Sequence, residues 1–179
     1  MRKILFIFGV LRDADVDWMV QAGARRSLGA GDVLIHEGKA IDSIILLLSG
    51  KMAVSIDGIG EVARLASGDF IGEMSLVDSA PPSATVTAKT DCTALFLDKQ
   101  RLQRKLTEDV GFASRFYRAL AIVLSDRLRA TEKRMAYGQD QDLKDESVRL
   151  KDELDIGVLD QVSMAGDRFD RLLKSVARM

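Results

Sequence analysis

The chain has 179 residues, 47% of them hydrophobic, which is enough apolar content for the core of one compact domain with an appended segment. The 26 basic and 27 acidic residues leave a formal net charge of −1, so any contact with nucleic acid or anionic lipid would depend on a local patch. No apolar run approaches the roughly 18 residues of a membrane span, and the short apolar start lacks a signal-peptide cleavage site, so we expect a cytoplasmic protein without membrane association.

The apolar spacing predicts a helical start followed by strands. Residues 1 to about 24 have helical periodicity, and from about residue 25 the period becomes two. Eight of the fourteen glycines fall between residues 29 and 72, where they separate short apolar segments. The predicted strands are DVLIH, SIILLLS, KMAVSI, EVARL, SATVTA and CTALFL. Many short antiparallel strands at this spacing predict a sandwich or a jelly roll.

After about residue 99 the pattern is helical. One short helix is predicted for LDKQRLQRKL and a long one for DVGFASRFYRALAIVLSDRLRATEKRMA. The apolar stripe of the long helix is wider than a coiled-coil seam, so we expect part of residues 112–135 to pack on the strands and part to form a homodimer. Two amphipathic segments follow, at 143–154 and 169–176. The predicted division is a domain of residues 1–136, which includes the long helix, and a helical appendage of residues 137–179.

One loop, FIGEMSLVDSAPPSAT at residues 70–85, has the features of an anion site. A glycine at the entry of a helical turn lets a ligand approach the backbone, and the free N–H groups of the first turn favour negative charge. Glu73 fits two roles. The helix dipole favours a carboxylate here without any ligand, and a carboxylate beside a phosphate site can also accept a hydrogen bond from a sugar hydroxyl. The loop contains no cation.

The spacing of several glycines, of the Gly-Glu pair at 72–73 and of the Ala-Thr pair at 84–85 is similar to that of a known family. Over roughly residues 5–130 the chain resembles the cyclic-nucleotide-binding domain of catabolite activator proteins, protein kinase A regulatory subunits and nucleotide-gated channels. The resemblance implies an α+β fold, an eight-stranded β jelly roll with a flanking N-terminal helix and long C-terminal helices. It also implies cAMP or cGMP as the ligand, with no further cofactor or metal.

The same resemblance identifies residues 70–85 as the phosphate-binding cassette. It implies that Glu73 accepts from the ribose 2′-hydroxyl. It implies a contribution of backbone N–H groups from Gly72, Met74, Ser75, Ser83 and Ala84. The position of the family's cassette arginine is occupied by Pro82, which has neither charge nor N–H.

Loss of that arginine is expected to weaken phosphate binding. Removing one member of a close, desolvated charge pair costs about 2–5 kcal/mol, which would turn micromolar binding into millimolar. The nearest cations in sequence are Arg64 and Lys89, and we expect both to lie at exposed strand positions. Asp78, within the cassette, is expected to be a solvated loop residue.

The predicted function is a non-enzymatic regulatory domain of the bacterial signalling type, with weak or lost cyclic nucleotide binding and an unidentified effector protein. Two alternatives stay open: a genuine cAMP or cGMP sensor that uses Glu73 and backbone amides, and a purely dimeric interaction module. A metal-dependent jelly-roll enzyme needs several histidines, and the chain has one, His36. DNA binding is not expected, because the 43 residues after Ala136 offer no predicted helix-turn-helix and the basic residues of the last helix are offset by aspartates.

Overall fold

The computed structural model describes residues 7–137 and 159–178. Within these ranges, eight strands form two four-stranded sheets with the orders β1-β8-β3-β6 and β2-β7-β4-β5. All strand pairs are antiparallel. The strands are β1 Gly23–Leu28, β2 Val33–Ile35, β3 Ser43–Ser49, β4 Lys51–Ile56, β5 Gly60–Ala66, β6 Phe70–Ile71, β7 Thr85–Ala88 and β8 Cys92–Asp98. The predicted eight-stranded jelly roll is confirmed.

Helices flank the strands at both ends of the chain. Residues 7–10 are helical. The further helices are α1 Asp13–Ala22, α2 Met74–Val77, α3 Lys99–Glu108, α4 Val110–Tyr137 and α5 Leu159–Ala177. None of the helices in the described parts of the chain has the length and apolarity needed to cross a bilayer.

The six predicted strands and the two predicted helices after residue 98 are present, whereas β1 and β6 were not predicted. β1 has the sequence GARRSL and its middle residues are exposed, so it shows no apolar alternation. β6 has only two residues, too few to establish a period. The amphipathic segment predicted at 143–154 lies outside the described residues.

Strand β3 has an almost entirely apolar sequence because both of its faces are buried. Ile45 and Leu47 lie in the core between the two sheets, together with residues of β7 and β8. Ile44, Leu46 and Leu48 lie in a second core between the first sheet and the helices. A strand buried on both sides does not alternate between apolar and polar residues.

The second core fixes the long helix α4 against β6, the strand at residues 70–71 with which the predicted cassette begins. The ring of Phe116 packs edge-on against that of Phe70, with 6.0 Å between centroids, and stacks on Phe112 at 5.5 Å. Helix α5 enters the same core, where Phe169 contacts Phe8 at 5.1 Å between centroids. The last described helix therefore packs on the same apolar layer as the N-terminal helices.

Candidate functional site

The predicted cassette forms a strand, a glycine corner and a single helical turn. Gly72 follows β6 with φ of +80°, which is the left-handed region that favours glycine. A Cβ atom at this position would overlap the Cδ1 atom of Ile41 and lie 3.3 Å from the Ser43 carbonyl oxygen. The fold itself therefore requires glycine here, independently of any ligand.

Glu73 is buried inside the cassette and paired with a cation from α4. The residue is only 2% exposed. Its Oε1 atom accepts a hydrogen bond from one terminal nitrogen of Arg127, and the other terminal nitrogen donates to the Phe70 carbonyl oxygen. Arg127 thus connects the long helix to both β6 and the cassette glutamate.

The charge state of Glu73 depends on two opposing effects. Burial raises the pKa of its carboxyl above the ordinary value, and the nearby Arg127 guanidinium acts in the opposite direction. Burial is the larger effect, so the carboxylate has a net cost in its charged form. The Nε atom of Arg127 is buried and, within the described part of the chain, has no hydrogen-bond partner. Because this N–H group is buried, an acceptor can reach it only if Arg127 or its neighbours move.

A second cation lies beside the helical turn of the cassette. The Nζ atom of Lys99 donates to the hydroxyl oxygen of Ser75 at 2.7 Å, and this hydroxyl donates to the Gly72 carbonyl oxygen at 2.9 Å. Partial burial of the ammonium group lowers the pKa of Lys99, an effect that Asp42 and Asp78 oppose. Lys99 thereby fixes the first turn of α2 to the start of α3.

The second half of the cassette is tied to the turn between β2 and β3. The Pro82 carbonyl oxygen accepts from the Gly38 N–H at 2.8 Å, and the Glu37 N–H donates to the Thr85 hydroxyl oxygen at 3.1 Å. Ser83 is exposed and Ala84 is half-buried. Pro82 therefore occupies the position at which the resemblance implies an arginine. It is half-buried, and its carbonyl oxygen is used in the hydrogen bond to Gly38.

The remaining predicted cassette residues are more accessible. Met74 is 53% exposed. Asp78 is exposed, as predicted, and its Oδ1 atom accepts from the Ala80 N–H at 3.0 Å. The side chain of Met74 thus lies on the outer side of the turn, while those of Glu73 and Leu76 are buried.

The two cations nearest in sequence to the cassette, Arg64 and Lys89, do not replace the missing cassette arginine. Arg64 and Lys89 both pair with Glu61, at 2.7 and 3.4 Å, and both side chains are more than half exposed. Their predicted exposed placement is confirmed. His36 is also exposed, and the described residues contain no group of three or more His, Cys, Asp or Glu side chains placed to bind a metal.

Arg127 was not identified from the sequence, although a signal for it exists. Phe116, Leu120 and Val123 are fully buried on α4, and Arg127 continues their spacing of three and four residues. An arginine at a core-facing position needs a buried partner. Lys99 had no comparable signal, because its contact with Ser75 depends on the tertiary fold.

Comparison with known proteins gives the relatives of this domain. A family model described as the cyclic nucleotide-binding domain matches residues 25–109. A cAMP-dependent protein kinase regulatory subunit from Hypocrea atroviridis is 40% identical over 85 residues, which are 48% of this chain and 18% of that protein. A similar regulatory subunit from Yarrowia lipolytica is 43% identical over 77 residues and has 20% of its length covered. The chain thus spans about a fifth of the length of these relatives.

Solved structures support the same assignment. The N-terminal domain of a transcriptional regulator from Streptomyces coelicolor A3(2) is 30% identical, with a TM-score of 0.58 over 74% of this chain and 95% of that one. A cyclic nucleotide-binding domain from Methylobacillus flagellatus KT has a TM-score of 0.68 at 23% identity, with coverage of 77% and 85%, and it shows the fold. By motif spacing, jelly-roll topology, family model and relatives, the chain belongs to the cyclic nucleotide-binding domain family.

Proposed function

We propose that the domain is a non-enzymatic regulatory unit whose cassette, in the conformation described, binds cyclic nucleotides weakly or not at all. The observation that carries this proposal is the buried pair of Glu73 and Arg127. A ribose hydroxyl would have to reach a carboxylate that is 2% exposed and already holds a guanidinium partner. Ligand entry therefore requires Arg127 or the cassette turn to move.

The absence of a cation at position 82 supports the same proposal. Of the two described cations that lie against the cassette, Lys99 holds the Ser75 hydroxyl oxygen and Arg127 holds Glu73 and the Phe70 carbonyl oxygen, so neither is free for a cyclic phosphate in this conformation. Binding of the phosphate by Arg127 would compete with its present contacts to Glu73 and Phe70. In a genuine cAMP or cGMP sensor, Arg127 would leave Glu73 and Phe70 and bind the phosphate instead. Only the measured affinity for the nucleotide distinguishes such a sensor from a domain that binds weakly.

The names of the relatives support a regulatory role. The relatives from Hypocrea and Yarrowia are regulatory subunits of cAMP-dependent protein kinase, and the protein from Streptomyces is a transcriptional regulator. The proposed role here does not include DNA binding. Arg168 and Arg171, which belong to the basic residues of the last helix, pair with Asp13 and Asp17 of α1 at 2.6 and 2.7 Å, so they are partly neutralised within the fold.

The proposal also includes a homodimer through one face of α4. Val110, Tyr117 and Leu128 lie on the same side of this helix and are 78%, 47% and 61% exposed. Leu120 lies within the predicted 112–135 interface but is buried in the core of the monomer, so it belongs to the packing of the protomer. The surface of α4 that we propose for contact with a second copy is therefore narrower than the apolar stripe of the helix.

Calorimetric titration with cAMP and with cGMP tests the ligand proposal. We expect the wild-type chain to bind neither in the micromolar range. Pro82→Arg should gain affinity by about tenfold or more, since one charge-assisted contact is worth at least about 1.4 kcal/mol. Pro81→Arg is the matched control, because it places the same side chain on the exposed neighbouring position, and it should give no gain.

Two results would count against this function. A low-micromolar dissociation constant for the wild-type chain would favour the genuine sensor. If Pro82→Arg gains no more affinity than Pro81→Arg, position 82 does not face a bound phosphate, and the dimeric interaction module becomes the better description.

A further inference from the structure

A cavity of about 380 Å³ lies away from the cassette, between residues 9–12 and the helices α4 and α5. Nine described residues line it, and four of them are arginines: Arg12, Arg115, Arg118 and Arg168. No acidic residue is among the described residues that line it. Guanidinium groups gathered in one cavity repel each other, so such an arrangement gains energy from a bound anion.

Two of these arginines are held in place by salt bridges behind the cavity. Arg115 forms a bidentate pair with Asp15, at 2.6 and 2.8 Å, and Asp15 is 4% exposed. Arg168 bonds Asp13 at 2.6 Å and the Phe8 carbonyl oxygen at 3.0 Å. These contacts connect the N-terminal segment with α4 and α5, so the walls of the cavity are fixed before any ligand arrives.

The other two arginines keep their charge available. Arg12 and Arg118 are exposed, and no carboxylate in the described part of the chain pairs with either. Asp13 is also shared with Arg171 at 3.7 Å, so it does not fully neutralise Arg168. Four arginines against two aspartates leave the cavity with a net charge of about +2.

The size and the lining define the class of ligand. A volume of about 380 Å³ is at the lower end of the range for small-molecule sites. Arg12 and Arg118 can bind phosphate oxygens bidentately, whereas Arg115 and Arg168 already hold Asp15 and Asp13 and offer one remaining terminal nitrogen each. A net charge near +2 is matched by two linked phosphates. The Ser114 hydroxyl is a further donor, and Met164, which is 50% exposed, offers an apolar edge for an organic group.

We propose that this cavity, with Arg12, Arg115, Arg118 and Arg168, is a binding site for a small anion that carries two adjacent phosphate groups. The site shares no residue with the cassette. The diphosphate can be free or part of a larger molecule such as a nucleoside diphosphate, and the two sources differ in whether the apolar edge at Met164 is used.

Calorimetric titration of the full chain with pyrophosphate and with ADP tests the proposal at constant ionic strength. We expect submillimolar binding of at least one of them. The double variant Arg12→Gln/Arg118→Gln should weaken it by about tenfold or more while the thermal unfolding temperature stays close to that of the wild type, because neither side chain is buried. Equal affinities for the two probes indicate that the diphosphate suffices, and tighter ADP binding indicates a contribution from the apolar edge.

The double variant Arg104→Gln/Arg129→Gln is the matched control. It removes the same number of charges from exposed positions on α3 and α4 outside the cavity, and it should bind within about twofold of the wild type. Equal loss in both double variants would show a nonspecific charge effect and would overturn the proposal. The proposal is also overturned if the wild-type chain binds neither probe up to about 1 mM. It is likewise overturned if the chain binds an acidic peptide but neither pyrophosphate nor ADP.

Discussion

Replacing Arg127 by methionine separates the role of the buried pair from that of general packing. Methionine is unbranched and apolar, so Arg127→Met retains much of the contact of the aliphatic stem and has a similar helix propensity. It removes the charge partner of Glu73 and the donor to the Phe70 carbonyl oxygen. The free energy of unfolding should therefore report the loss of the pair.

The loss in the free energy of unfolding is limited by the cost of neutralising Glu73. Breaking a buried ion pair by removing one partner costs about 3–5 kcal/mol. The carboxyl group can instead take up a proton, and from an ordinary pKa of 4.5 this costs about 3.4 kcal/mol at pH 7. Because the Arg127 side chain is 28% exposed, water reaches part of the site, and we expect a loss of about 2–3 kcal/mol at pH 7.

Urea unfolding followed by circular dichroism measures this free energy. Arg129→Met is the control, because Arg129 lies on the same helix and is exposed. The double variant Arg127→Met/Glu73→Gln should be more stable than Arg127→Met alone, since it leaves no unpaired charge. The penalty of Arg127→Met should also decrease as the pH is lowered, by up to about 1.4 kcal/mol per unit, because Glu73 then becomes neutral.

The proposed role of the pair is refuted if Arg127→Met lowers the free energy of unfolding no more than Arg129→Met at pH 7. It is also refuted if the losses caused by Arg127→Met and Glu73→Gln simply add. In either case the pair would not hold α4 to the cassette, and the attachment of α4 would depend on the aromatic contact between Phe116 and Phe70.

Two further predictions concern the charge of Glu73 and the exposed face of α4. Since burial raises the pKa of Glu73 in the folded state above its unfolded value, the folded state holds this proton more tightly. The free energy of unfolding of the wild type minus that of Glu73→Gln should therefore increase as the pH falls from 7 toward 4.5, measured by urea unfolding; a decrease would mean that Arg127 dominates and lowers the pKa. Leu128→Lys should convert a wild-type dimer into a folded monomer in light scattering with an unchanged circular dichroism spectrum, because Leu128 is 61% exposed, and a monomeric wild type would refute the dimer.

Local sequence patterns were sufficient for most of the fold. Short alternating or wholly apolar segments between turns identified six strands, and the three-to-four spacing identified α3 and α4, because each pattern reflects which sides of an element are buried. β1 was not predictable in this way, since its middle residues are exposed and include Arg25 and Arg26. Its place in the sheet follows from pairing with β8, a contact between residues far apart in the chain.

The sequence by itself predicted a sandwich or a jelly roll from its strand and glycine spacing, and its resemblance to the family implied the cassette at residues 70–85 with Pro82 at the arginine position, because both can be read residue by residue. Only the tertiary structure decided which cations approach the cassette. Arg127 is 54 residues from Glu73, and Lys99 is 24 residues from Ser75, so both contacts depend on how α3 and α4 pack on the sheet. The cavity with four arginines has the same origin, since packing of the N-terminal segment, α4 and α5 brings distant charges together.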